Sequence, residues 1–411
     1  MQSSTTGGWA RTEDNSSQSL RRQNLLGACL AHLVHDGYTD QLYALLPVWQ
    51  GELGLSYAGL ALVRALYYAP MAGLQVPADR LTRKLPPRIA LTLATLVAAA
   101  GYLLVALPLG FAGLAIGLIV AGIGSSVQHP RASLLVTNSY GKESRGPLGI
   151  YNFAGDLGKA TFPAIVALLL PVFAWRPVVA FMGLIGLAAA LTLLAVLPTQ
   201  PFTAQEEEPS VHGGSGRGFG LLLIVGALDT STRMGYLLFL PFLLHAKGGG
   251  QAIVGIGLAL LFAGGALGKA CCGWFGQRLG VVWTVIATEA ATALLMMTTL
   301  GLPLGPTLFA LPLLGIFLNG TSSVLYGTVP DLAKKGEAGR AFALFYTGVI
   351  GAGGLAPIAY GAVADHSSRT DGVIAAALTA VAIIPLVLAL RPLLQRVRAE
   401  PSEAIMAEQE M

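Results

Sequence analysis

The sequence predicts an all-α integral membrane protein whose twelve transmembrane helices form two pseudo-symmetric six-helix bundles, and three observations carry that expectation. Of 411 residues, 54% are hydrophobic and 11% are charged, whereas soluble domains carry about 25% charged residues. The mean hydropathy is +0.66. Apolar runs of about 20 residues or more, enough helix to cross a bilayer, recur at 24–48, 57–79, 88–109, 111–139, 147–171, 176–197, 219–245, 251–275, 281–302, 305–332, 339–363 and 372–394. Finally, the chain echoes itself. Ser125-Ser126-Val127 returns as Ser322-Ser323-Val324, Tyr151 and Pro163 return as Tyr346 and Pro357, and Asp36 with Pro47 returns as Asp229 with Pro241. Parallel repeats of this kind place a substrate site at mid-depth between the halves.

The runs and breaks set the expected organisation: a disordered cytoplasmic tail at 1–22, an N-terminal bundle at 23–197, a linker at 198–218, a C-terminal bundle at 219–394 and a second cytoplasmic tail at 395–411. Glu206-Glu207-Glu208 and a Gly/Ser-rich end give the linker its flexible composition. The first 20 residues lack the apolar core and small-residue site of a cleaved signal. Lys and Arg gather in the tails and the even-to-odd loops, while the opposite side holds only Arg176, Lys247 and Arg369. That bias puts both termini inside the cell inner (plasma) membrane. The net charge of +4 thus belongs to the membrane edge, and no nucleic-acid partner is implied. Cys29, Cys271 and Cys272 lie in apolar runs and form no zinc or disulfide pattern. A monomer in the lipid bilayer is expected.

Charge inside the membrane points to function. In the first run His32, Asp36 and Asp40 share one helix face, with His35 and Thr39 on the next. A charge at mid-depth costs roughly 2.5 to 3.5 kcal/mol, so these groups must face protein or water. Asp36 has no base three or four residues away except His32. An unpaired carboxylate in low dielectric favours its protonated form, which marks Asp36 for proton coupling, with His32 and His35 as relays. The other charges invite pairing: Asp40 with Arg64 at matched depth on antiparallel neighbours, Asp229 with Arg233, and Asp156 with Lys159. His129-Pro130 is expected to break the fourth helix and turn Ser125 and Ser126 toward a cavity. Arg233, Arg131 and Lys159 are candidate cations for an anionic substrate, since a guanidinium fork suits carboxylate or phosphonate oxygens. His129, Tyr326, Tyr346 and Asn152 complete the candidate lining. Glycines from Gly348 to Gly354 read as packing elements, because no strand precedes them as a nucleotide site requires.

Two loops then carry a resemblance. Asp79-Arg80-Leu81-Thr82-Arg83-Lys84, with a degenerate echo at Gly273 to Gly280, resembles the signature loop of the major facilitator superfamily. Asp79, Arg80 and Arg83 would act there as a cytoplasmic gate. His32-x-x-x-Asp36, Gly124-Ser125-Ser126-Val127-x-His129-Pro130, and Gly155-Asp156-Leu157-Gly158 before Pro163 are similar to the fosmidomycin-resistance group of drug exporters. Asp40, Arg64, Arg131 and Lys159 depart from that group's pattern. The resemblance implies a proton-coupled antiporter that exports a small organic, anionic compound by alternating access, needing no cofactor and no metal. No ATP motif is present, so an ion or substrate gradient must supply energy. Two alternatives stand beside it: an organic-anion uptake or exchange carrier without proton coupling, and an intramembrane metalloenzyme using His32, His35, Asp36 and His129. The repeat argues against an enzyme.

Overall fold

The computed structural model describes residues 6–199, 216–334 and 338–409. Its thirteen α-helices are α1 (Thr6–Leu53), α2 (Tyr57–Gly73), α3 (Gln75–Thr82), α4 (Pro87–Val105), α5 (Gly110–Tyr140), α6 (Arg145–Leu169), α7 (Trp175–Val196), α8 (Gly216–Ala246), α9 (Gln251–Leu279), α10 (Val281–Gly301), α11 (Leu304–Leu332), α12 (Ala338–His366) and α13 (Arg369–Gln409). Most of the expected linker at 198–218 lies outside the described residues. Where the two tails are expected the described residues are helical: α1 extends upstream of the first span and α13 runs on past the last. Once a membrane helix is nucleated, each added residue gains a backbone bond without a new nucleus. Likewise α9 runs through the expected second-half loop to Leu279 and turns at Gly280, whose φ of 80° only glycine adopts readily.

The span drawn at 57–79 divides into α2 and α3 at Leu74. Pro77 explains the break, because its ring clashes with the carbonyl of Gly73 and offers it no N–H. Nine helices among the described residues are long and apolar enough to cross a membrane. The other four are α1, α2, α3 and α6: α1 carries His32, Asp36 and Asp40 and α6 carries Asp156 with Lys159, whereas α2, with Arg64, and α3 are short, at 17 and 8 residues. Protein replaces lipid around α1, where Ala28, Ala31, Tyr38 and Leu42 through Leu46 are wholly buried.

Backbone packing divides the chain into two compact units. The first comprises Met1–Thr39, Leu74–Lys159 and Arg176–Gln205, and the second comprises Asp40–Gly73, Ala160–Trp175 and Glu206–Met411. In the first, α4 lies directly against α5, and Ala28, Leu91, Leu135, Val136, Tyr151 and Leu193 form a core. Tyr38 donates to the Met182 carbonyl at 2.9 Å, tying α1 to α7.

In the second, α8 packs on α12 and α13, α9 on α11, and α2 on α12. Leu222, Val225, Val285, Val329, Phe345 and Val387 form its core. Asp365 caps α2: its two oxygens accept the Tyr57 and Ala58 N–H groups at 2.8 and 2.9 Å, satisfying donors that a helix start leaves bare. Two cations on the sparse side also have helix ends to serve. Lys247 donates to the Leu300 and Leu302 carbonyls at the end of α10, and Arg369 donates to the Phe242 carbonyl near the end of α8. Cations suit such C-terminal carbonyls.

Candidate functional site

Asp36 sits in α1 among three nitrogen bases. Its Oδ2 lies 3.1 Å from both His32 Nε2 and Lys159 Nζ, and its Oδ1 lies 3.4 Å from His129 Nε2. The carboxyl is 5% exposed. The expectation of an unpaired Asp36 is therefore corrected. Lys159 also stands closer to Asp36 than to Asp156, its expected partner, which is 3.9 Å away. Helix spacing on α6 set the expected pair; packing of α6 against α1 supplies the nearer one. That packing depends on Gly155 and Gly158. A Cβ at 155 would stand 2.6 Å from His32 Nε2 and 2.7 Å from Asp36 Oδ2, and one at 158 would collide with the Leu33 carbonyl.

The hydrogen bonds locate a proton. His32 Nδ1 lies 2.9 Å from the Tyr151 carbonyl, which can only accept, so Nδ1 carries a hydrogen. The ring also stacks on Tyr151 at 4.1 Å and meets His129 edge-on at 5.1 Å, which fixes its orientation. The contact between Nε2 and Asp36 Oδ2 then requires one further proton. It can reside on the nitrogen, giving an ion pair, or on the oxygen, giving a neutral pair.

His35 is not part of this group. Thr95 gives its hydroxyl proton to the Leu91 carbonyl at 2.9 Å, so it accepts from His35 Nε2 at 3.2 Å, and His35 Nδ1 accepts from Ser125 Oγ at 2.8 Å. A neutral ring meets every partner, and the expected relay role is replaced by cross-linking of α1, α4 and α5. Ser126 donates to the Ile123 carbonyl at 2.7 Å. Both hydroxyls are thus turned into the protein. The expected helix break is absent as well, since α5 continues through Pro130, with Ser133 Oγ bonding the His129 carbonyl at 2.8 Å. Arg131 lies elsewhere: its Nη2 donates to the Leu85 carbonyl at 2.9 Å, and Asp79 acts on it electrostatically. About half a turn beyond His129 on α5, it thus faces Leu85 and Asp79 of the segment that holds α3. Asn152 is exposed.

His32, Asp36 and His129 have metal-ligand chemistry, and their ligand atoms lie within 4.8 Å of one another. The Lys159 ammonium on the same carboxylate supplies the positive charge a metal would bring.

The second unit holds its own buried charges. Asp229, Glu289 and Arg233 act on one another electrostatically, and Thr321, close to Glu289, donates its hydroxyl to Thr288 Oγ1 at 2.7 Å. The acids are 3% and 2% exposed. Arg233 is not clasped by Asp229 as expected; it donates to Asn319 Oδ1 at 3.4 Å and Thr230 Oγ1 at 3.2 Å. Arg64 is likewise without the expected ion pair to Asp40. Its guanidinium lies 4.0 Å from the Tyr43 ring centre and 4.9 Å from that of Tyr68, with Nη2 3.7 Å from Met234 Sδ, and Asp40 acts on it only at longer range. Aromatic faces can hold a desolvated cation. Tyr326 packs on Phe345 and Tyr346 at the edge of the core. Glu289 was the acid sequence reasoning left without a role. The signal was there: it stands in an apolar run with no base within four residues.

Membrane-length helices arranged around buried acids and bases define a multi-pass membrane transporter. The chain belongs to the Major Facilitator Superfamily, whose family model matches residues 26–217 and 222–409. Among curated proteins it is similar to the fosmidomycin resistance protein of Escherichia coli strain K12, with 24% identity over 362 residues that cover 84% of this chain and 87% of that protein. Solved structures share its fold. A bacterial homologue of the human lysosomal transporter Spinster, inward-facing and unoccupied, aligns with a TM-score of 0.72 at 16% identity, over 92% of this chain and 97% of that one. A variant of the nucleoside transporter NupG aligns with a TM-score of 0.75 at 12% identity, over 90% and 99%.

Proposed function

We propose that this transporter exports a small organic anion or drug in exchange for protons, with Asp36 as the proton-accepting group, from the inner membrane as a monomer with both termini in the cytoplasm and with its helices divided as two six-helix halves. The observation that carries proton coupling is the His32 Nε2 to Asp36 Oδ2 contact of 3.1 Å, with Nδ1 already committed to the Tyr151 carbonyl. One proton is held between two side chains that can each own it. The relative's printed name supports the drug-efflux part.

The direction of coupling constrains the substrate. Protonating Asp36 releases Lys159, so an anion held by Lys159 alone would bind together with the proton and move the same way. Exchange requires proton and substrate to exclude each other. The substrate therefore carries a hydrogen-bond donor for the Asp36 carboxylate as well as an anionic group for a cation. Inside-out vesicles supplied with external fosmidomycin test the reading: accumulation by the parent should need an imposed proton gradient, and Asp36→Asn should abolish that drive while keeping substrate exchange. Undiminished gradient-driven accumulation in Asp36→Asn removes Asp36 from the coupling. Movement that ignores the gradient in the parent would leave a carrier without proton coupling.

A further inference from the structure

Arg64 has no place in that scheme, and its surroundings leave it short of acceptors. The residue is 1% exposed, yet its Nε and Nη1 have no hydrogen-bond partner among the described residues. The rings of Tyr43 and Tyr68 offer the guanidinium their faces, which compensate its charge without accepting those two N–H groups. Buried polar groups of native proteins are nearly always paired, and a buried cation is costlier to leave unmatched than a neutral group. Asp40, one turn before Tyr43 on α1, acts on the guanidinium electrostatically; it does not supply the acceptors that Nε and Nη1 lack.

Three donors of this group converge on one atom. Met234 Sδ accepts from Tyr43 Oη at 3.0 Å, from Arg64 Nη2 at 3.7 Å and from Tyr68 Oη at 3.8 Å. A thioether is a weak acceptor, so two hydroxyls and a cation are aimed at the poorest acceptor a side chain can offer. The donors come from α1 and α2 and the sulfur from α8, all within the second unit. Arg64 and Tyr68 stand one turn apart on α2, and α12 presses on that turn, where a Cβ at Gly354 would lie 2.9 Å from Tyr68 Cβ. The donors are therefore held in place. Met234 is not held in the same way: it is half-buried where Tyr43, Arg64 and Tyr68 are buried, and its unbranched side chain turns about three bonds. It covers the donors as a movable plug.

We propose that Arg64, Tyr43 and Tyr68 form the binding site for the anionic group of the transported molecule, a carboxylate or phosphonate whose oxygens displace Met234 Sδ. An anionic oxygen in the place of the sulfur turns three weak contacts into charge-assisted hydrogen bonds, and the guanidinium fork gives a second oxygen the N–H groups that now lack an acceptor. That the substrate is anionic rests on the reading above; the site is tested by binding, with no gradient present. Purified full-length protein, isotope-labelled at its methionine methyl groups, is titrated with phenylphosphonate and followed by NMR. The Met234 signal, assigned by its loss in Met234→Leu, should shift saturably, and the uncharged diethyl ester should leave it in place. By calorimetry, Arg64→Lys, which keeps the charge and loses the fork, should bind phenylphosphonate about tenfold more weakly, and Arg64→Gln roughly a hundredfold. Tyr43→Phe keeps the ring and loses the hydroxyl, so it should weaken binding about tenfold, and it decides the matter should the Arg64 variants fail to fold. Arg233→Gln, next to Met234 on α8, should weaken binding less than Arg64→Gln. A Met234 signal that phenylphosphonate does not move overturns the site, as does binding that Arg64→Gln and Tyr43→Phe leave unchanged. Binding lost in Arg233→Gln and kept in Arg64→Lys gives the anion to Arg233 and overturns it too. Gradient-independent transport by the parent would defeat the coupling reading alone, and an unmoved Met234 signal would defeat this site alone.

Discussion

Asp36 and Asp229 occupy corresponding places in a duplicated sequence, each followed by a proline in its own helix, yet the two acids are finished in opposite ways. Asp36 is surrounded by His32, His129 and Lys159, three nitrogen bases that stabilise a carboxylate. Asp229 instead feels another buried acid, Glu289, together with Arg233 one turn away on its own helix. The cations divide in the same manner. Lys159 is held by a carboxylate, whereas Arg233 and Arg64 rest on neutral oxygens and aromatic faces. Duplication therefore preserved where an acid stands in a helix and left open what stands opposite it. The partner comes from a different helix, and that partner sets the charge the acid faces.

The comparison can be broken hardest at a pair of glycines. Gly155 lies under the His32 and Asp36 side chains, and a Cβ there would stand 2.6 Å from His32 Nε2. Gly265 lies under Asn319, where a Cβ would stand 2.7 Å from Nδ2. Gly155→Ala is expected to remove most gradient-driven transport, because the methyl must part the two groups that share the proton. Gly265→Ala shifts only a neutral amide that supports Arg233, so it should cost much less drive. Overpacking of this kind costs roughly 1 to 3 kcal/mol, so thermal unfolding in detergent should fall similarly in both. Equal losses of transport would mean that the His32 and Asp36 contact has no special role.

How much of this was written in the sequence follows from which contacts are local. Hydropathy and the repeat gave the helical membrane fold, because burial in lipid acts on every residue of a span. Helical spacing placed His32 beside Asp36 correctly, since one turn separates them on α1. It found the Asp156 contact of Lys159, at 3.9 Å, but not the nearer one to Asp36, and it misassigned Arg233, which has an acid one turn away on its own helix. A side chain as long as Lys or Arg reaches across an interface more easily than it curls back, and only packing fixes what lies there. Arg131 was misplaced for a related reason: helix depth was known, but the fold of the Asp79 loop beside it was not. Hydropathy failed at α1 and α6, whose buried charges dilute the apolar signal, and at α2 because the break before Pro77 leaves it only 17 residues.

The contrast between cations gives a second, smaller effect. In a double-mutant cycle of Lys159→Gln with Asp36→Asn, the direct 3.1 Å contact should give a coupling of about 1.5 to 3 kcal/mol, the range for hydrogen bonds to charged groups. The cycle of Arg64→Gln with Asp40→Asn should give less than about 1 kcal/mol, because the guanidinium is held by Tyr43 and Tyr68. Tyr43→Leu, which removes the nearer ring, should then destabilise more than Asp40→Asn. Unfolding midpoints in detergent measure all of these, and a stronger coupling at Arg64 than at Lys159 would reverse the assignment.

The smallest effect is expected at an acid that burial does not touch. Asp365 is exposed and caps α2 with both oxygens, at 2.8 and 2.9 Å from the Tyr57 and Ala58 nitrogens. Asp365→Asn keeps one oxygen acceptor, loses the second, and removes a negative charge from a helix N-terminus. Loss of such a cap costs roughly 0.5 to 1 kcal/mol. Because water can replace the missing acceptor, no proton is trapped in either form, and the variant should show a small drop in melting temperature with its dependence on the proton gradient intact. Asp365→Ala, which removes both acceptors, should lower the melting temperature further without changing coupling. If either variant uncouples transport, an acid outside both buried groups carries protons, and the distinction drawn between buried acids with fixed partners and exposed acids with solvent fails.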